Sequence, residues 1–365
     1  MHQRILCLSL SACLTLCASE PVLAWGASGH RILCLSLSAC LSICASGPVL
    51  AWGALGHRIV GEAAARHFPK NLPAFLRTPE AVATIGEFSR EPDRSRDAGN
   101  PHDADLDPAH FVDLSDDGTV LGGPRLDALP ANRQDYDTAL RAVNTNASKA
   151  GWLPYSIIDG WQQLVKDFAY WRADVAGLKF IKDPAARKWL EADRKRREML
   201  TLRDLGYWAH FVSDGNQPLH VTVHYNGWGD FPNPHNYSGT NLHARFESNF
   251  VNAHIQEKDL TPLLAPYRSF DGTIQDRTTA YLLATATHVE KTYQLDQAQA
   301  FDQGTAEAKS FVAERLAEGA AMLRDMVADA WAQSAKSQLG YGNHKISLAD
   351  IETGKVSSLV GELQN

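Results

Sequence analysis

The fold of this chain is decided by the stretch that ends in YWAHFVSDGNQPLH, residues 207–220. Leading into it, apolar residues recur every three to four positions, which predicts a long helix. The same period returns along the chain, while alternating, strand-like runs are nearly absent. The predicted helices cover residues 59–68, 136–143, 157–175, 189–212, 278–293 and 306–332. The sequence therefore predicts an all-α fold, a single domain of many helices.

Two long polar stretches rich in Gly, Pro, Asn and Asp lie between these helices, at residues 90–133 and 216–241. Loops of that length in a compact domain are usually functional or disordered. We expect them to be functional loops.

His210 and Asp214 lie four residues apart, so they share one face of the predicted helix. His220 follows beyond a turn that Pro218 enforces. A neutral imidazole and a carboxylate at this spacing suit zinc, which takes nitrogen and oxygen ligands at about 2.0 to 2.2 Å. Singly, each is better explained as a hydrogen-bonded core histidine or a surface aspartate. Together they favour a metal site.

Downstream, NLHARFESNF at residues 241–250 places His243 and Glu247 four residues apart. The intervening loop is long enough to return them beside His220, which predicts a His-His-carboxylate zinc site. An isolated pair of this kind is more often two solvated residues on an amphipathic helix, so the context decides.

Upstream, two weaker motifs offer further polar side chains. PAHFVDL carries His110 at the end of the first polar loop and Asp113 three residues later. REPDRSR carries Asp93 and, three residues on, Arg96. Neither motif is specific alone.

The chain begins with a tandem duplication, because residues 4–30 return almost unchanged as residues 31–57. Each copy has a basic start, an apolar stretch too short to span a membrane, and a Val-Leu-Ala suited to signal-peptidase cleavage. We interpret residues 1–51 as a duplicated signal peptide, 52–340 as the catalytic domain and 341–365 as a C-terminal tail. A secreted or periplasmic protein without a membrane anchor is expected.

Composition limits the possible sites and partners. All six cysteines precede residue 52, so the predicted mature chain has neither disulfides nor thiolate metal sites. The chain has 35 basic and 42 acidic residues and a formal net charge of −7, which argues against nucleic-acid binding by a broad basic face. For an anionic substrate, bound metal must then supply much of the attraction.

Cleavage after Ala51 would expose a free amine on Trp52, five residues before His57. An amine and its own carbonyl can chelate a metal. Trp52 could instead be a core anchor before the first helix, and the two roles are compatible. Cleavage after Ala24 would leave the Trp52 nitrogen in a peptide bond.

Together these motifs resemble the secreted trinuclear zinc nucleases of the S-one/P-one type, which share their fold with bacterial zinc-dependent phospholipase C. The matching residues are 52–57, Asp93, HFVD at 110–113, HFVSDGNQPLH at 210–220 and NLH at 241–243. They reach from Trp52 to about Asn249, and their order and spacing fit the nuclease branch.

The resemblance implies a monomer with three zinc ions that hydrolyses single-stranded DNA or RNA and removes 3′-phosphates from nucleotides. One zinc would take Asp93, His110, His210 and Asp214, a second His220, His243 and Glu247, and a third the Trp52 amine and carbonyl, His57 and the shared Asp214. Asp113 would orient the attacking water, and Arg96 would contact the phosphate. Phe111 could stack on a base, as could Tyr225 or Trp228, although core packing explains isolated aromatics better.

Two alternatives stay open at this level. Glu247 stands where the nucleases usually carry Asp and phospholipase C carries Glu, so a phospholipase acting on phospholipid head groups is the first. A non-catalytic exported zinc protein is the second, and it would need closed tetrahedral sites.

Overall fold

The computed structural model describes residues 52–99, 101–238 and 240–356, and there the protein is predominantly helical. The helices are α1 (Gly53–Arg66), α2 (Pro79–Phe88), α3 (Glu91–Arg94), α4 (His102–Leu106), α5 (Arg133–Arg141), α6 (Ala147–Ala150), α7 (Leu153–Phe180), α8 (Pro184–Asp214), α9 (Leu242–Ala244), α10 (Phe250–His254), α11 (Glu257–Leu260), α12 (Ile274–Ala286), α13 (Val289–Gln297), α14 (Ala300–Gln303), α15 (Ala306–Ser334) and α16 (Leu348–Glu352). Two short antiparallel strands, β1 (Gln338–Leu339) and β2 (Ile346–Ser347), pair with Gln338 opposite Ser347. The all-α prediction is confirmed.

Among the helices of nine or more residues, the predictions differ from the structure in two places. Residues 278–293 form two helices, α12 and α13, because the chain turns at Thr287 and His288. There the Thr287 hydroxyl donates to the Ala284 carbonyl at 2.6 Å and ends α12. The unpredicted α2 begins with a cap, since Thr78 accepts from the Ala81 amide at 3.1 Å and Pro79 occupies the first helical position.

The α7–α8 hairpin is the scaffold of the molecule, with α1, α2 and α15 packed against it. Two glycines allow α8 to pack closely against α7 and α2. A Cβ on Gly160 would stand 2.0 Å from the ring of Trp208, and a Cβ on Gly206 would stand 2.5 Å from the Cβ of Phe88 in α2. The C-terminal end of α8 is thereby fixed between α7 and α2.

The chain after α15 packs on α7 through a second, smaller apolar cluster. Its members are Ala169, Ala173, Ala176, Leu339, Leu348 and Ile351. Arg172 of α7 also pairs with Glu352 at 3.2 Å. The predicted tail, residues 341–365, thus contributes β2 and α16, while its last nine residues lie outside the described ones, as does the predicted leader 1–51.

Within the described ranges, no helix combines the length and apolarity that crossing a membrane requires.

Candidate metal centre

The C-terminal turn of α8 holds the centre of the site. His210 and Asp214 stand on one face of α8, as their spacing predicts, and both are fully buried. Helix α1 brings His57 against them, with the His57 and His210 rings stacked at 3.7 Å between centroids. The polar loop after α2 supplies Asp93 and His110.

The first group of potential ligands joins Asp93, His110 and His210. His110 Nδ1 lies 2.9 Å from His210 Nε2, and Asp93 Oδ1 lies 3.8 Å from the same Nε2. Asp214 borders this group, because its Oδ2 is 3.2 Å from His110 Nδ1 and 3.3 Å from His210 Nε2. These are the four residues expected around one metal.

The second group joins His57, His210 and Asp214. His57 Nε2 lies 3.5 Å from Asp214 Oδ1 and 3.9 Å from Asp93 Oδ2. Asp214 therefore turns one carboxylate oxygen to each of the first two groups, as expected for a shared ligand.

The third group joins His220, His243 and Glu247. His243 Nε2 lies 3.1 Å from His220 Nε2 and 2.9 Å from Glu247 Oε2. The chain reaches this position through Asn241, which adopts a left-handed conformation (φ 57°) before α9. Glu247 then lies in a turn of π-helix over Arg245–Asn249, a geometry that often marks functional sites.

Neutral metal ligands need one bare ring nitrogen, and the hydrogen bonds of these histidines expose it. The Nδ1–H groups of His210, His220 and His243 donate to the carbonyls of Ser89, His110 and Tyr225 at 2.8, 2.7 and 2.7 Å. His57 Nδ1 lies 2.5 Å from the Ser213 hydroxyl, which itself donates to the His210 carbonyl. In all four rings Nε2 is left as the acceptor that faces the other ligands.

Bare nitrogens facing each other at 3.1 Å repel, so a cation or a proton must lie between them. Around a tetrahedral zinc with bonds of about 2.1 Å, ligand atoms lie about 3.4 Å apart, close to the spacings within these groups. Three buried atoms of these ligand residues also lack a hydrogen-bond partner within the described structure: His57 Nε2, Asp214 Oδ1 and Glu247 Oε1. Such orphaned atoms cost free energy unless a ligand completes them, so the residues fit metal ions.

The electrostatics favour the ionised forms of Asp214 and Glu247, whereas burial raises the pKa of Asp93. Burial alone would raise the pKa of Asp214, but His210 and His220 hold it well below the usual value. His243 and His220 likewise lower the pKa of Glu247 against the effect of burial. Anionic oxygens beside histidines form the deprotonated ligand set that metal binding requires.

The histidines divide into two classes. Burial lowers the pKa of His57 well below 6.5 and that of His110 to about 3, so both rings are neutral. Burial acts in the same direction on His210 and His220, but Asp214 and a second carboxylate at each raise their pKa values. Without metal, these carboxylates therefore favour protonation of the two rings.

A cavity of about 230 Å³ opens onto the histidines. Its walls are formed by Arg96, Asp107, His110, Phe111, Asp113, Lys149, Leu219, His220, Tyr225 and His243. The expected water-orienting, phosphate-contacting and stacking residues thus share one cavity with ligand residues of two groups. A larger cavity of about 1140 Å³ elsewhere is lined by none of the nine proposed ligand residues.

In the 230 Å³ cavity, the Arg96 guanidinium already pairs with two carboxylates. Its Nε donates to Asp107 at 2.7 Å, and Nη1 lies 3.5 Å from Asp93. Asp113, by contrast, is largely buried, which raises its pKa to about 7. Half-exposed Tyr225 is open to a ligand, whereas Trp228 is buried and stacks on His224 instead.

Trp52 lies against the centre with its side chain fully buried. The indole Nε1–H donates to the Ser213 carbonyl at 2.9 Å, next to the ligand Asp214. The side chain is therefore the core anchor that the sequence allowed, while chelation through its amine stays a prediction.

Two supporting side chains were not predicted from the sequence, although both lie within the 207–220 motif. Ser213 orients His57, and Gln217 donates to Glu247 Oε2 at 3.0 Å. A third, Lys149, carries no local signal and reaches the cavity only through the fold.

No protein-family model matches this chain, and a search of curated proteins returned no match. The structure itself provides three buried groups of His, Asp and Glu side chains that could hold metal ions.

Proposed function

We propose that the protein is an exported zinc-dependent phosphodiesterase that cleaves single-stranded nucleic acid, with the fold and ligand scheme of the S-one/P-one type nucleases. One observation carries the proposal. Three groups of buried ligands, two of which share His210 and are bordered by Asp214, lie beside a cavity whose wall holds further polar residues.

Zinc ions held by these residues would lower the pKa of a water and neutralise charge on the phosphoryl oxygens. Asp93, His110, His210 and Asp214 would hold one ion, His220, His243 and Glu247 a second, and His57 with Asp214 and the Trp52 amine a third. The linking of groups through Asp214 argues against separate, closed structural sites.

The remaining cavity residues supply positioning and proton handling. Asp113, with a pKa raised to about 7 by burial, can accept a proton from water near neutrality and hold that water in line. Arg96 fixes Asp93 and Asp107 and presents its remaining N–H groups to a phosphate.

Two features of the cavity favour a nucleic acid over a choline phospholipid. Phe111 and half-exposed Tyr225 offer aromatic faces for unpaired bases. Arg96 and Lys149 place cations where a quaternary ammonium head group would be repelled. Glu247 is the feature that keeps phospholipase C as the second candidate.

The test uses protein beginning at Trp52, zinc analysis, and hydrolysis of single-stranded DNA and of a phosphatidylcholine analogue, each with and without a chelator. About three zinc ions and chelator-sensitive DNA cleavage are expected. Cleavage of the lipid alone would move the assignment to phospholipase C. Bound zinc without either activity would leave a structural zinc protein.

A further inference from the structure

Lys149 is held beside the candidate catalytic wall by backbone hydrogen bonds. The Asp113 amide donates to the Ala150 carbonyl at 2.8 Å, and the Leu153 amide donates to the Phe111 carbonyl at 3.0 Å. These bonds lay the end of α6 alongside residues 111–113. The exposed side chain of Lys149 thereby lines the cavity together with Asp113 and the ligand histidines.

The segment has little freedom to move away. Gly151 has φ +75°, and a Cβ there would stand 2.1 Å from the Phe111 carbonyl oxygen. The backbone segments at Gly151 and Phe111 are therefore in direct contact. Asn146 caps α6 by accepting from the Lys149 amide at 3.0 Å. The position of Lys149 is therefore a fixed feature of the fold.

Lys149 also differs in charge pairing from the other cation of the cavity. Arg96 is nearly buried and is paired with Asp93 and Asp107. In the described part of the chain, Lys149 forms no ion pair. An accessible, unpaired ammonium group carried by a fixed stretch of backbone is suited to an anionic ligand.

We propose that Lys149 binds a phosphate next to the scissile one, so that it sets a preference for polynucleotides over substrates with a single phosphate. The proposal rests on the proposed nuclease function. The ligand groups and Arg96 already provide for the scissile phosphate, and Lys149 lines the same cavity from α6. An otherwise acidic protein would gain at this point one contact to the polynucleotide backbone.

The experiment compares zinc-loaded parent protein and Lys149→Met on two substrates, a single-stranded octanucleotide and a dinucleoside monophosphate, which has one phosphate. For the octanucleotide we expect KM to rise about 5- to 30-fold with kcat nearly unchanged. The slope of log(kcat/KM) against log salt should become shallower by about 0.7, the value for one contact to a single strand. The dinucleoside should show neither change, and Lys149→Arg should restore most of the octanucleotide affinity.

Lys188→Met is the matched control. Lys188 is an exposed lysine on α8, 22 residues before His210 and so about 33 Å away along the helix. It should leave both KM values and the salt slope unchanged.

Equal losses on both substrates would overturn the inference, since Lys149 would then act at the scissile phosphate. No loss on either substrate would overturn it as well. If the parent cleaves only a phosphatidylcholine analogue, the nuclease function fails and the inference falls with it. Parent DNA cleavage with an unaltered Lys149→Met profile leaves the function intact and removes only this role.

Discussion

The α7–α8 hairpin buries carboxylates in two regions, and the two behave in opposite ways. At the end of α8, histidines surround Asp214 and keep its pKa well below the usual value. Midway along the hairpin, burial and neighbouring acids raise the pKa of Asp167 to about 7 and of Asp174 to about 8. Burial is similar in both regions, so the neighbours decide whether a carboxylate holds a charge or a proton.

The contacts explain the contrast. Gln163 donates to both Asp167 and Asp204, at 3.0 and 3.2 Å, and so bridges two acids. Asp174 faces Asp193, whose own charge is paired with Arg196 and Arg197. At the middle of the hairpin, a proton on the buried carboxyl is enough to neutralise it. The ligand groups at the end of α8 need metal cations instead. The four predictions below test this difference, from the largest expected effect to the smallest.

Asp214→Asn should have the largest effect, because this carboxylate borders two of the three ligand groups. We expect bound zinc to fall from about three to about one per chain and hydrolysis to drop on the order of 10³-fold or more. Elemental analysis and single-stranded DNA cleavage measure both. Asp174→Asn, an equally buried change, should keep its zinc. Retention of three ions by Asp214→Asn would refute the shared-ligand arrangement.

Glu247→Gln should have a smaller effect, because Glu247 belongs to one group only. Loss of about one zinc and a decrease in activity of roughly 10- to 100-fold are expected, since His220 and His243 remain. Glu247→Asp, which keeps a carboxylate at this position, should retain more activity than the Gln variant. An Asp variant weaker than the Gln variant would contradict a ligand role for the carboxylate.

Removal of metal should lower thermal stability and should do so more easily in acid. Without metal, the native state loses the free energy of zinc binding, so a chelator should lower Tm by roughly 5–15 °C. The pKa values of His210 and His220 are raised, so protons compete for these ligands from above pH 6.5 downward. Zinc affinity, measured by chelator competition, should therefore fall steadily from pH 8 to pH 6. A flat affinity profile across that range would argue against histidine ligation.

Local sequence patterns were sufficient to predict the site residues that lie together on one helix. The helical period predicted α8, and the four-residue spacing placed His210 beside Asp214. The acceptors that orient the rings could not be predicted, because the carbonyls of Ser89 and Tyr225 carry no side-chain signal. Lys149 was missed for a related reason, since an exposed lysine becomes a site residue only when long-range backbone bonds bring α6 to Asp113.

Asp174→Asn should have the smallest effect, and that effect should grow as pH rises from about 4 to 8. The folded pKa of Asp174 is about 8 and the ordinary value is 3.8, so between these pH values the native state holds a proton that the unfolded chain has lost. The contribution of Asp174 to the free energy of unfolding therefore falls as pH rises from about 4 to 8. Above pH 8 the full cost of ionising the buried carboxyl is present.

The Asn variant cannot ionise, so it escapes that cost. Its free energy of unfolding should exceed that of the parent by about 1–3 kcal/mol at pH 9 and match it near pH 4, as measured by urea unfolding. Asp271→Asn, in an exposed loop, should leave the difference between the two pH values unchanged. If Asp174→Asn destabilised the protein equally at both pH values, the Asp174 carboxyl would act as a hydrogen-bond partner, and its protonation in the native state would not explain the effect. The contrast with Asp214 would then rest on geometry alone.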